Sequence, residues 1–158
     1  MTLAIMLLLT IQSSPVRCIN PNKSGVVLIG TLKAHTFPGP PDWKSVARGD
    51  EPERYWLLHL NKPICVEGDD LGLKENNVSW VQLVFEDHKP YETYRSLLGG
   101  RVIVKGELFH RHTGHHHTRV LVTVQAIDKN QAYDRQKPPM SHASQSKSDN
   151  RHCTPKGV

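Results

Sequence analysis

Apolar and β-branched residues come in short bursts along this chain, separated by polar stretches rich in proline and glycine. "SGVVLIGTL" (Ser24–Leu32) has glycines near both ends and reads as a first strand. "RYWLLHL" (Arg54–Leu60), ended by "NKP", reads as the second, and "VSWVQLVF" (Val78–Phe85) as the third. Between the first two, "KAHTFPGPPDWKSVARGDEPE" sets Pro38, Pro40 and Pro41 around Gly39. Regular structure is not expected there, because each proline removes a donor and restricts its predecessor. "KPYETYRSLLGG" changes period. Tyr91, Tyr94 and Leu98 recur at helical spacing, Pro90 suits a first turn, and Gly99–Gly100 stop it. "RVIVKGELF" (Arg101–Phe109) and "HHHTRVLVTVQAI" (His115–Ile127) then predict two strands joined as a hairpin.

The pattern predicts a mainly β fold: a small five-stranded OB-like barrel with one short helix between strands 3 and 4. Another small β-barrel, or a sandwich with one helix, is the competing architecture. In the OB-like assignment the Pro-rich stretch joins strands 1 and 2, and the His-rich stretch joins strands 4 and 5. These are the two loops that flank the usual binding surface of that fold.

With 158 residues one domain is expected, spanning 16–128. Residues 1–15 read as a signal peptide. The apolar run Leu3–Ile11 is too short to cross a bilayer, which takes about 20 residues, but fits the apolar segment of a secretory signal. Ser13 and Ser14 follow where cleavage is plausible, although no Lys or Arg precedes the run. The chain is therefore expected to be exported, periplasmic or secreted, with no transmembrane segment in its mature form. Residues 129–158 read as a disordered basic tail. The formal charge of +5 sits mostly there: from Lys129 onward the net is +4, leaving +1 for the body. Such a body lacks the electrostatic footprint of nucleic-acid binding.

Three cysteines, Cys18, Cys65 and Cys153, are compatible with an oxidising compartment. A Cys18–Cys65 bridge would tie the N-terminal arm to the domain and leave Cys153 unpaired. Three unrelated thiols are the alternative.

"GTLKAHTFPGPPDWKSVARGDEPERYWLLHLNKPICV", "VQLVF" and "GGRVIVKGELFHRHTGHHHTRVLVTV" together resemble the bacterial proteins grouped as domain of unknown function 4431. The resemblance spans Gly25 to Val124, and "TFPGPP", "PICV" and "TGHHHT" are its most specific motifs. Asp42–Trp43 stand where Asn and Tyr are expected. The resemblance implies a small exported bacterial protein and carries no activity.

Five of the ten histidines fall within Phe109–Thr118. If the last strand begins at His115, alternation puts His115, His117 and Arg119 outside, and His116 on the valine face, where it meets His110 at the barrel mouth. Three functions are then open. A binding module would use Phe37, Trp43, His110 and His116, with Trp56 nearby, for a protein, glycan or cell-wall ligand. A metal protein would place Zn, Cu or Ni on His115 and His117, with His112 or His35 as a third ligand. A hydrolase would pair His116 with Asp50 or Glu53. The H-x-T spacing of "HHT" suggests a two-histidine phosphoesterase, but the only second match, "HCT", lies in the tail, so that chemistry is set aside. No catalytic residue is assigned, and the binding module is the first choice. Clustered imidazoles also suggest that acid would loosen the hairpin.

Overall fold

The computed structural model describes residues 17–21 and 23–131. The expected signal peptide 1–15, the tail beyond residue 131 and Cys153 lie outside the described residues. Five strands are present: β1 (Val26–Pro38), β2 (Pro52–Val66), β3 (Glu75–Val84), β4 (Arg101–His110) and β5 (Val120–Lys129). A short helix, α1 (Lys89–Thr93), and a following 3-10 turn (Arg95–Leu97) join β3 to β4. The strands close into a barrel in the order β1-β2-β3-β5-β4, with β4 returning to β1. Neighbours are antiparallel except for the parallel pair β3 and β5. The expected mainly β barrel with one short helix between the third and fourth strands is borne out at this level.

Strict alternation builds the wall. In β1, Val26, Leu28 and Leu32 are buried while Val27, Ile29 and Lys33 are exposed. Leu58, Val81, Leu83, Val104, Leu108 and Val122 complete the interior. Trp56, offered above as part of a recognition surface, is instead buried. It meets Phe85 and Tyr91 edge-on under α1, at centroid distances of 5.8 Å and 5.1 Å. Aromatic packing thus seats α1 against the barrel at Trp56.

Two boundaries differ from expectation. β1 runs on through the first proline, because Pro38 stands opposite Pro52 at the very end of the β1–β2 ladder. A missing N–H is tolerated at a strand terminus. β2 likewise continues past "NKP" to Val66, with irregular pairing to β3 between His59 and Val66. Its end is covered by the N-terminal arm: Ile19 donates to the Cys65 carbonyl at 2.8 Å, and Glu67 donates to the Ile19 carbonyl at 2.8 Å. The Cys18–Cys65 disulfide fixes that arm, as expected.

Candidate functional site

The third difference changes the site. β5 begins at Val120, and His115–Arg119 form a turn and bend, so strand alternation does not apply to the three histidines. The cause is Gln82 on β3. Its buried side-chain amide, 1% exposed, accepts the His117 N–H at 2.7 Å and donates to the His115 carbonyl at 2.9 Å. The Gln82 N–H donates to Thr118 Oγ1 at 3.0 Å, and that hydroxyl donates onward to the Val120 carbonyl at 2.6 Å. Backbone groups that a ladder would have paired are satisfied by one side chain.

The imidazoles therefore separate differently from the alternation reading. His117 turns inward, its side chain 12% exposed, while the His115 side chain is 56% exposed. His116 packs edge-on against His112 at 4.6 Å and Phe109 at 5.4 Å. His110 lies against Asp69 instead of meeting His116. The Nδ1–Oδ1 separation is 3.0 Å, but the contact is too poorly aligned for a hydrogen bond. Asp69 is shaped by its own loop, accepting from Leu71 and Gly72 at 2.8 Å and 2.9 Å. Burial works against its charge, but His110 and these two N–H groups hold the carboxyl below its usual range.

The Pro-rich loop is organised by Asp50. Its carboxylate accepts three backbone N–H groups of the same loop: Asp42 at 2.9 Å, Lys44 at 2.6 Å and Ser45 at 2.6 Å. The Ser45 bond is foremost in holding this carboxyl below the ordinary range, with burial opposing and Asp42, Lys44 and Arg48 assisting. So engaged, Asp50 does not serve as a partner for His116. The loop then locks onto the histidine turn. Trp43, at φ 58°, meets His115 edge-on at 4.8 Å. A Cβ on Gly114 would lie 3.2 Å from the Trp43 ring, so the glycine allows the two loops to touch.

Glu53 joins the two loops. Opposite Phe37 in the β1–β2 ladder, it passes over Gly39, where a Cβ would come within 2.7 Å of its side chain. Its Oε1 accepts from His115 Nδ1 at 2.8 Å, and Oε2 accepts from the Tyr55 hydroxyl at 3.1 Å. His117 Nε2 stands 3.6 Å from Oε2, buried and without a hydrogen bond of its own. The His117 ring stacks on Phe37 at 4.0 Å, with 3° between planes. Burial raises the Glu53 carboxyl, but its bonds to His115 and Tyr55 outweigh that and hold it low. Tyr55, desolvated and bonded to Glu53, is pushed up to about 12. Burial lowers His117, with Glu53 partly offsetting it. Burial also lowers His116, and the charges of His112, His115 and His117 add to that.

Beside His117 opens a groove of about 490 Å³ lined by His35, Phe37, Trp80, His117, Thr118 and Arg119, among others. Its far wall is Trp80, against which His59 stacks at 4.3 Å and His35 stands edge-on at 5.5 Å. Lys33 Nζ lies 5.5 Å from the Trp80 ring centre. Arg119 is held by Glu75 at 2.6 Å.

Of the expected binding residues, Phe37 reaches the groove, Trp43 supports the loops, and His110 and His116 are packed away from both. Of the three expected metal ligands, His115 and His117 both approach the Glu53 carboxylate, whereas His112 packs on His116 instead. Among the described residues, no set of three His, Cys, Asp or Glu is arranged to hold a metal ion. Sequence reasoning missed Gln82, Tyr55 and Trp80. Only the register reveals them, by setting His35 opposite Tyr55 and His59 opposite Trp80.

Fold and site define a small closed-barrel protein in which two interlocked loops border one open aromatic groove. Residues 81–128 match the model of the family described as Domain of unknown function (DUF4431), so the family resemblance holds over this segment. The matched stretch carries Gln82 and the whole histidine turn. No curated protein matches the chain.

Proposed function

We propose that this chain is an exported bacterial binding module, without catalysis, that recognises its ligand in the groove beside the histidine turn. The single observation that carries this is the fixing of His117. Gln82 holds its backbone, Phe37 its ring face, and Glu53 lies against its inner edge, so one wall of an open groove is preorganised. The polar groups around it are committed to building that wall. Asp50 is spent on its own loop, Glu53 is bonded to His115, and His116 accepts the His112 N–H at 3.1 Å, so neither pairing of His116 considered for hydrolysis is formed. An OB-like reading of the barrel agrees, since that fold binds between its 1–2 and 4–5 loops. Export draws on the disulfide and on the apolar run Leu3–Ile11. A protein, glycan or cell-wall ligand fits such a location; nucleic acid does not suit a body of net charge +1.

The test is a panel of polysaccharides, peptidoglycan fragments and peptides offered to the oxidised full chain. Recovery of a panel member unaltered, with binding lost in Phe37→Ala, supports the module. Turnover of a member would overturn it.

Transition-metal binding is the second reading, and His115 favours it. With Nδ1–H given to Glu53, the lone pair of this exposed ring sits on Nε2, the arrangement of a carboxylate-supported ligand for Zn, Cu or Ni. Metal content of untagged protein, purified without a nickel column, tests it. About one equivalent, lost in His115→Ala, would favour this reading.

A further inference from the structure

We infer that the groove takes a short carboxylated oligosaccharide, a chain of uronic-acid sugars; this rests on the binding-module reading above. Three features of the groove select that chemistry.

Its volume of about 490 Å³ has room for about two to three sugar rings. Planar rings stand in a row: His117 stacks on Phe37, His35 lies between Phe37 at 6.0 Å and Trp80 at 5.5 Å, and His59 stacks on Trp80. The C–H faces of pyranose rings pack on such surfaces while their hydroxyls remain wet, which suits a groove open to solvent.

The charge is one-sided. Lys33 stands over Trp80 and Arg119 lines the groove, whereas none of the described lining residues is acidic and Glu53 stands behind the His117 ring. Arg119 is already committed to Glu75, whereas Lys33, the cation over Trp80, has no carboxylate within ion-pairing distance among the described residues. A single lysine, beside imidazoles that can hydrogen-bond sugar hydroxyls, suits a chain with one carboxylate per ring better than a more densely charged one. Densely sulfated or phosphorylated chains call instead for clustered guanidinium forks.

The backbone argues against a peptide. β3 pairs with β5 only from Val81 onward, so Asn77–Trp80 border the groove along an unpaired edge. A peptide adding as a strand needs a continuous extended edge. Asn77 has φ 58°, and Arg119 reaches across to the Asn76 carbonyl at 3.5 Å, which leaves only Val78–Trp80. That stretch is too short for a strand but enough to meet sugar hydroxyls.

The experiment is calorimetric titration of the oxidised full chain with tetragalacturonate, neutral maltotetraose and pentaglutamate. Tetragalacturonate is expected to bind, and Lys33→Glu, an exposed change that leaves the core alone, to weaken it about tenfold or more. Maltotetraose is expected to bind at least tenfold more weakly. Equal binding of maltotetraose, indifferent to Lys33→Glu, would overturn the anionic class and leave the groove as a sugar site. Binding of pentaglutamate alone would overturn the sugar. If none of the three binds, the inference falls, whereas the module reading falls only if the wider panel also finds no ligand lost in Phe37→Ala.

Discussion

Gln82 holds His117 by its backbone: the side-chain carbonyl accepts the His117 N–H at 2.7 Å, while the same amide donates to the His115 carbonyl two residues earlier. One buried side chain thereby replaces a stretch of β-ladder and turns a histidine ring toward the groove. Gln82→Leu keeps the volume and removes both bonds. The loss should be about 1–3 kcal/mol, since a buried donor and acceptor are left unmade. Urea unfolding measures it, and hydrogen exchange at the His117 amide should accelerate in the variant. Unchanged exchange would mean that the turn holds its shape without Gln82.

Glu53 couples to both His117 and Tyr55, so its charge can be read through either. In Glu53→Gln the support that raises His117 is gone, and the His117 pKa should fall further below its ordinary value. Tyr55 should drop from about 12 as the neighbouring charge disappears. Histidine NMR titration and ultraviolet titration of tyrosine report the two. A rise at His117 would show that Glu53 does not act on it.

The histidine turn should weaken in acid. His116 and His117 both have folded pKa values below 6.5, so charging them is harder in the folded chain than in the unfolded one. Stability from this source is complete above the ordinary imidazole pKa and is lost as the pH falls through the lowered folded values. Glu53, also lowered, adds a second loss further down, below its ordinary 4.5. Thermal midpoints between about pH 8 and about pH 4 should decline beginning near the imidazole range. Gln82→Leu, with the turn already loosened, should show a shallower decline.

The disulfide closes a loop of 47 residues. Chain entropy alone gives such a cross-link roughly 3–4 kcal/mol. Replacing Cys18 and Cys65 by serine should lower the guanidinium midpoint accordingly and free the Ile19 arm from the end of β2. An unchanged midpoint would mean that the arm is held by its backbone bonds to Cys65 and Glu67 alone.

The strands, the helix position and the disulfide were legible because each leaves a local mark: alternation in "GVVLIG", the change of period at Tyr91 and Tyr94, and cysteines in a sequence with the apolar run Leu3–Ile11. The histidine turn was not. Alternation assumes a ladder, and here the ladder stops at Val120 because a side chain 33 to 35 residues away captures the backbone. Gln82 itself sits between Val81 and Leu83 on the face where a polar residue normally meets water, so nothing local marks it as buried. Glu53 was noticed only as an acid near a histidine. Its joining role depends on Gly39 and Gly114 letting two loops touch, which is a property of the tertiary fold.

That a ligand lies between β3 and the histidine turn is tested most directly by mapping chemical shifts on the full chain during titration with tetragalacturonate. The predicted result is movement of the Trp80 indole N–H together with the His117 and Thr118 amides, with Tyr91 and Ile29 unmoved. Shifts gathered around Ile29 or α1, with Trp80 and His117 silent, would contradict it.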